Sequence, residues 1–323
     1  MHNSDYAFAV AKIRHAEADL LTQGQLDSAI DSADISRTAY ELQKCGIRVY
    51  SSPPLASEIF ESEGELLAGL WDFAGELLPK DQLMPFMVLG DYHNLKAALR
   101  LKICGQNRDD LFKSCWVSVS PDIIKDAVLS GDYSEISEFE PVLTELAGTG
   151  DIRAMEAAVD RAALTALYDT AQKSESDVYK LYADTVLNYA DVNIAFRMCG
   201  LGFGFEMINK ALISTDKLEG AALAKSAAGG NNQLLEYLQS TELFDVVPVL
   251  EQGGAGLYKW FYDRLIEKIM PQRFNPFTAQ PIAAYIIARL SEIKNAKTIL
   301  LLKNAGFDSE SIRKRCVISY VSV

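Results

Sequence analysis

The chain has 323 residues, with 31 basic side chains against 44 acidic ones, a formal charge of −13 and 49% hydrophobic residues. That is enough apolar material for a sizeable core, and it excludes a wholly disordered chain. The acidic balance disfavours nucleic acid as a partner, because phosphates demand Lys/Arg neutralisation, and equally disfavours direct adhesion to an anionic lipid surface.

In chain order the periodicity is helical. "YAFAVAKIRHAEADLL" near the N-terminus reads as a helix, and Lys12, Arg14 and Glu17 interrupt the apolar core that a signal peptide would need. "QLDSAIDSADISRTAYELQKCG" follows as a pair of short amphipathic helices, and "SSPPLASE" (51–58) as a loop. "GDYHNLKAALRLKICG" (90–105) predicts a helix with a polar start, Asp91 capping it and Asn94 bonding to nearby backbone. A loop, "GQNRDD" (105–110), leads to "PDIIKDAVLSGDYSEISEF", a second pair of short helices.

From Asp151, "DIRAMEAAVDRAALTALYDTAQK" places Ile152, Met155, Val159, Ala163 and Ala166 on one helix face, with Asp151 as N-cap. Glu156 and Asp160, four residues apart, read either as a carboxylate pair for acid–base or metal chemistry or as a solvated face paired locally with Arg153 and Arg161. "YADVNIAFRMCG" (189–200) predicts another helix, "DKLEGAALAKSAAGGNNQLLEYL" a further short pair, and 227–232, 251–256 and 270–281 loops. From Pro281, Ile286, Leu290, Ile293, Ala296 and Leu300 make an apolar stripe that Gly306 ends, and Asp308 caps a last helix. No alternation long enough for a sheet occurs, so the fold class is all-α. The most apolar stretch, "PIAAYIIARL", is broken by Arg289, so no membrane insertion is expected.

Chemistry has few carriers. Cys45, Cys104, Cys115, Cys199 and Cys316 are scattered, odd in number and never paired as CxxC, which reads as free thiols in a reducing compartment. Asp109 and Asp110 begin a pyrophosphate-type acidic cluster, but Lys113 stands where the third carboxylate belongs. "LGFGFE" (201–206) imitates a glycine-rich phosphate loop without its lysine or a preceding strand. His2, His15 and His93 are the only histidines. No catalytic, cofactor or metal residues are assigned.

Three stretches recur about one hundred residues apart, aligned on Asn94, Asn193 and Asn295, too far for a helical solenoid and suited to small domains in series. Basic residues follow each asparagine: Lys96 and Arg100, Arg197, Lys297 and Lys303. The expected domains are 1–89, 90–188 and 189–323.

"DYHNLKAALR", "DIRAMEAAVDRAALTALY", "ADVNIAFR" and "PFTAQPIAAYIIARLSEIKNAKTILLLKNAGFDSESIRKR" together resemble the C subunits of the V/A-type rotary ATPases, which are similar to the d subunits of vacuolar ATPases. The family's motifs fall on Asp91, Asn94, Leu95 and Lys96, then on Glu156, Asp160 and Arg161, then on Glu292 and Asn295, in order along nearly the whole chain. His93 stands where the family carries a larger aromatic, and Ala195 replaces a basic residue of the repeat. The resemblance implies three similar helical domains around a pseudo-threefold axis, forming a funnel with a central cavity. It implies a non-catalytic central-stalk component on the cytoplasmic face of the membrane, a socket between the central shaft and the proteolipid ring that transmits torque for ATP-coupled proton or sodium transport. Lys96, Arg100, Arg197, Lys297 and Lys303 are expected to face those partners or to end in intramolecular pairs. A generic helical adaptor is the alternative, and it would call for shorter repeats with polar capping units.

Overall fold

The computed structural model describes residues 3–51, 53–105, 108–148 and 150–321. His2 and parts of the loops at 51–58 and 105–110 lie outside the described residues. Among the described residues there are α-helices, short 3-10 turns and one isolated parallel bridge, Thr22 to Val321, with no strand. The all-α expectation holds.

The first helices are α1 (Asn3–Ala16), α2 (Gln23–Asp31), α3 (Ile35–Lys44), α4 (Ala56–Leu77) and α5 (Met84–Cys104). Next come α6 (Pro121–Ser130), α7 (Glu140–Glu145), α8 (Ile152–Gln172), α9 (Asp177–Gly200) and α10 (Phe205–Ala211). Then follow α11 (Gly220–Ala228), α12 (Asn231–Gln239) and α13 (Val247–Glu251). Last are α14 (Leu257–Ile269), α15 (Gln280–Asn304) and α16 (Ser309–Arg313).

Local chemistry sets the helix starts. Thr22 and Gln25 form a reciprocal capping box on α2, and the carboxylates of Asp34, Asp151 and Asp308 accept first-turn N–H groups of α3, α8 and α16. Proline occupies the first turn of α5, α6, α7, α13 and α15, where its missing N–H is no loss. Gly306, at φ 79°, ends α15 in the left-handed conformation, with N–H groups of Gly306 and Phe307 bonded back to Lys303 and Leu302.

The chain divides into two compact units. The first comprises Met1–Leu78, Ser176–Thr185 and Asp245–Val323. In it α4 lies along α15, and α2, α3 and α16 close a core of Leu26, Ile30, Leu42, Ile47 and Ile59 with Ile299, Leu300 and Ile312. Every residue of α15 from Pro281 to Ala288 is buried, so this half of the helix is enclosed on all sides.

The second unit comprises Pro79–Glu175 and Val186–Phe244. Here α5 is held by α6 and α8, and α10, α11 and α12 stack in sequence. The buried face of α8 is Met155, Val159, Ala163, Leu167 and Ala171, so Leu167 takes the place expected for Ala166, which is half-buried. Tyr92 meets Phe139 edge-on at 5.0 Å, and Phe86 meets Trp116 at 6.0 Å.

The expected start of a helix at Gly90 and Asp91 is corrected. α5 begins at Met84 and runs through both residues, because the apolar turn around Pro85 and Phe86 is itself helical and buried. Gly90 has another reason to be glycine. A Cβ there would lie 2.2 Å from the carbonyl oxygen of Trp116, whose backbone adopts a φ of 58° as the loop crosses the helix. The obstacle is backbone, so the loop itself would have to move. Gly90→Ala is therefore expected to destabilise the protein by about 2–3 kcal/mol in chemical denaturation, and an unchanged midpoint would show that the loop yields freely.

Candidate functional site

The recurrence seen in the sequence corresponds to a physical device repeated on α5, α9 and α15. Each helix carries two buried polar side chains one turn apart that bind a loop further along the chain, except that Glu292 on α15 binds Leu21 from the N-terminal side.

On α5 the pair is Asp91 and Asn94, 3% and 0% exposed. The Asn94 amide donates to the Lys113 carbonyl at 2.9 Å and accepts the Lys113 N–H at 2.8 Å, completing that residue's backbone as a strand neighbour would. Asp91 accepts the Ser118 N–H at 2.7 Å, the Ser118 hydroxyl at 2.6 Å and the Val119 N–H at 3.1 Å. Asp91 is thus not a helix cap but an anchor for the loop lying across the helix. Burial pushes its carboxyl above the ordinary range, against the opposing pull of these hydrogen bonds.

On α15 the pair is Glu292 and Asn295. Asn295 donates to the Val317 carbonyl at 2.8 Å and accepts the Val317 N–H at 2.9 Å, repeating the Asn94 geometry. Glu292 accepts the Leu21 N–H at 2.5 Å and pairs with Arg289. Burial raises its pKa first of all, and Arg289 and the Leu21 bond oppose the rise.

On α9 the pair is Asn188 and Asp191, with Asn193 half-buried and outside the device. Asp191 accepts the Ile213 N–H at 3.0 Å, and Asn188 accepts the Thr215 hydroxyl at 2.9 Å. The alignment on Asn193 is therefore two residues out of register, because it matches residue identity whereas the fold repeats the bonding role. Ser118 stands 27 residues after Asp91 and Thr215 the same distance after Asn188. Ser319 keeps that spacing from Glu292, and there Leu21 is inserted, its N–H on Glu292 and its carbonyl receiving the Ser319 hydroxyl. The signal that would find Asn188, Asp191, Ser118, Thr215 and Ser319 is a polar pair at i and i+3 inside an apolar helix, followed by a hydroxyl at fixed distance.

The basic residues end mostly in intramolecular bonds. Lys96 pairs with Asp160 at 2.5 Å and Arg100 with Glu156 at 2.5 Å, so α5 is riveted to α8. Glu156 and Asp160 are thus paired, but across to α5 rather than with Arg153 or Arg161; Arg161 bonds Glu145 at 2.9 Å. Lys297 pairs with Glu63 at 2.7 Å, and Lys303 donates to the Ser32 carbonyl at 2.8 Å. Arg197 is exposed at the end of α9. His93 bonds the Leu111 carbonyl at 2.8 Å, so it fastens the same loop as Asn94. Asp109 and Asp110 pair with Lys125 and Arg108. All five cysteines are free thiols. Among the described residues no cluster of His, Cys, Asp or Glu could hold a metal, and no helix is long and apolar enough to cross a membrane.

The profile of the family described as "ATP synthase (C/AC39) subunit" matches residues 9–315. The C subunit of the A-type ATP synthase of Methanocaldococcus jannaschii is 22% identical over 349 residues, covering 95% of this chain and 85% of the relative. Its counterpart, the A-type ATP synthase C subunit of Desulfurococcus sp. (strain SY), is 24% identical over 344 residues, covering 96% and 90%.

Asp191 makes one of the three devices chemically different. At its position the other two helices carry asparagine, whose amide both accepts and donates. The second carboxylate oxygen of Asp191 is buried without a hydrogen-bond partner, and burial pushes the group up to about 7. In the unfolded chain it ionises near pH 4. Between those values the folded chain keeps a proton that the unfolded chain has released, so stability falls as pH rises from about 4 to 7 and stays low above it. Asp191→Asn should remove this loss. Denaturation curves are expected to show the variant up to about 4 kcal/mol more stable at pH 8, with the gap closing towards pH 4. A gap independent of pH would contradict the assignment.

Proposed function

This chain belongs to the ATP synthase (C/AC39) subunit family and is thus a rotary ATP synthase subunit; from that premise we propose that it is the non-catalytic socket between the central shaft and the membrane proteolipid ring. The observation that carries the reading is the extent of the family match, which runs over residues 9–315 and so takes in all three polar pairs. In this reading the chain sits peripherally on the cytoplasmic face of the membrane, uses no cofactor and passes torque for proton or sodium transport.

The three polar pairs support the mechanical part. A torque-bearing element must not let its loops slide along its helices, and buried side chains that saturate the loop backbone resist such sliding, since breaking them leaves polar groups unpaired. In the proposed arrangement three helical modules, each built on one of α5, α9 and α15, stand around a pseudo-threefold axis. The divisions 1–89, 90–188 and 189–323 do not match these modules, since no polar pair lies in 1–89 and the α9 pair straddles the second boundary. Because Leu21 completes the α15 pair, the third module draws on both ends of the chain. Among the basic residues Arg197 is the one proposed to meet a partner directly. Lys96, Arg100, Lys297 and Lys303 would have to exchange their present bonds to do so.

Two experiments follow. Affinity purification of the tagged chain from detergent-solubilised membranes should bring down a proteolipid ring and a coiled-coil shaft; recovery of the chain alone would refute the reading. Within that complex, Arg197→Glu should weaken retention of a partner protein without changing the stability of the isolated chain. Removing Lys96 and Arg100 together should instead cost about 1 kcal/mol of stability and leave assembly intact, as for partly exposed ion pairs. The opposite pattern would reverse these roles.

A further inference from the structure

In the first unit, α4, the start of α9, α14 and α15 surround a cavity of roughly 450 Å³ that is separate from the three polar pairs. Its polar and aromatic lining is Glu63, Tyr182, Tyr258, Tyr262, Lys294 and Lys297, with aliphatic side chains of α15 between them. Tyr258 and Tyr262, four residues apart on α14, stack with ring centroids 4.0 Å apart. The Lys294 ammonium lies 3.3 Å from the centroid of Tyr258 and 5.8 Å from that of Tyr262, so it rests on an aromatic wall.

The charges in this cavity do not balance. Glu63 is taken by Lys297 at 2.7 Å, and Lys297 also lies over the Phe60 ring. No carboxylate among the described residues forms an ion pair with Lys294. The Lys294 side chain is exposed at the cavity mouth, yet the packing around it and then the neighbouring Lys297 lower its amine to about 8, with Glu63 partly opposing this. The group is still mostly charged at neutral pH, in a chain whose formal charge is −13. An ammonium seated on two stacked tyrosines at the open mouth of a cavity, with Lys297 beside it and Glu63 already taken, is complementary to one anion with apolar flanks. An anionic bilayer is a poor source because the whole chain repels it. An acidic side chain set among apolar ones on a protein surface matches both the charge and the tyrosine lining, which is typical of interface cores.

We propose that this cavity is a docking site for a single Asp or Glu carboxylate on an otherwise apolar segment of a partner protein in the complex, with Lys294 as its counter-charge and Tyr258 and Tyr262 packing its flanks. The identity of the partner complex rests on the rotary reading; the chemistry of the occupant rests on the cavity.

The test compares the isolated chain with the complex purified from membranes. A short pulse of acetic anhydride, read by peptide mass spectrometry, should label Lys294 readily in the isolated chain and about tenfold less in the complex, as expected for a buried interfacial charge pair. Carbodiimide coupling of the complex should join Lys294 to an Asp or Glu of another protein of the assembly. Lys294→Met should fold normally, because the side chain is exposed to the cavity mouth, and should weaken retention of that partner roughly 30-fold or more. Equal labelling in both states, coupling to Glu63 alone, or protection by phosphatidylserine vesicles in place of the complex would overturn the proposal. If the chain copurifies with shaft and ring while Lys294 stays reactive, the cavity inference fails and the rotary reading stands. If it copurifies with neither, the rotary reading falls and the partner named here falls with it.

Discussion

Three long helices in this chain each bind, through buried polar side chains, an irregular loop further along the chain. A loop packed on a helix has peptide groups that water cannot reach, and without a sheet they need side-chain partners. An asparagine amide presents one donor and one acceptor in nearly the geometry of a peptide group, which is how Asn94 and Asn295 each complete a single loop residue. On α5 and α9 the acidic or amide side chain one turn earlier takes further groups of the same loop, and on α15 Glu292 takes Leu21 instead. Because these polar atoms are buried, leaving them unpaired would cost more than a surface contact. The loop is therefore fixed in register along the helix, and the close approach of Trp116 to Gly90 becomes possible.

The same interaction joins the chain's ends. Leu21 sits between Glu292 and Ser319, Thr22 bridges to Val321, and Arg313 reaches Asp27 and Asp31. The helices that follow the bound loop in the second unit come later in the chain, whereas in the first unit α2 and α3 supply them from the N-terminal side. The ion pairs of Lys96, Arg100 and Lys297 add to this on the outside, tying long helices to the neighbouring α8 and α4.

What can be read from the sequence is local. The N-caps at Asp151 and Asp308, the turn at Gly306 and the apolar stripes of α8 and α15 depend on residues within one or two turns, and they are found as expected. The anchoring roles of Asp91 and Asn94 are not legible, because their partners lie 19 to 28 residues away and a polar residue after glycine looks locally like a helix start. The register on α9 is hidden for a related reason. Asn188 and Asp191 invert the usual acid-then-amide order, so matching letters favours Asn193 although burial selects the pair before it. The helix face carrying Glu156 and Asp160 is legible, but not that it faces α5, since periodicity says which residues share a face and not what that face meets. The lysine–tyrosine cavity leaves no sequence signal, because Lys294 and Tyr258 are brought together only by the packing of α14 on α15.

The proposed socket role has a specific signature in the assembled machine. The most direct measurement reconstitutes the ATP synthase in sealed vesicles with and without this chain, following ATP hydrolysis and ATP-driven ion uptake together. Omission should abolish uptake while the soluble head continues to hydrolyse ATP, and adding the chain back should restore uptake. Ion uptake that persists at full coupling without the chain would contradict the socket role.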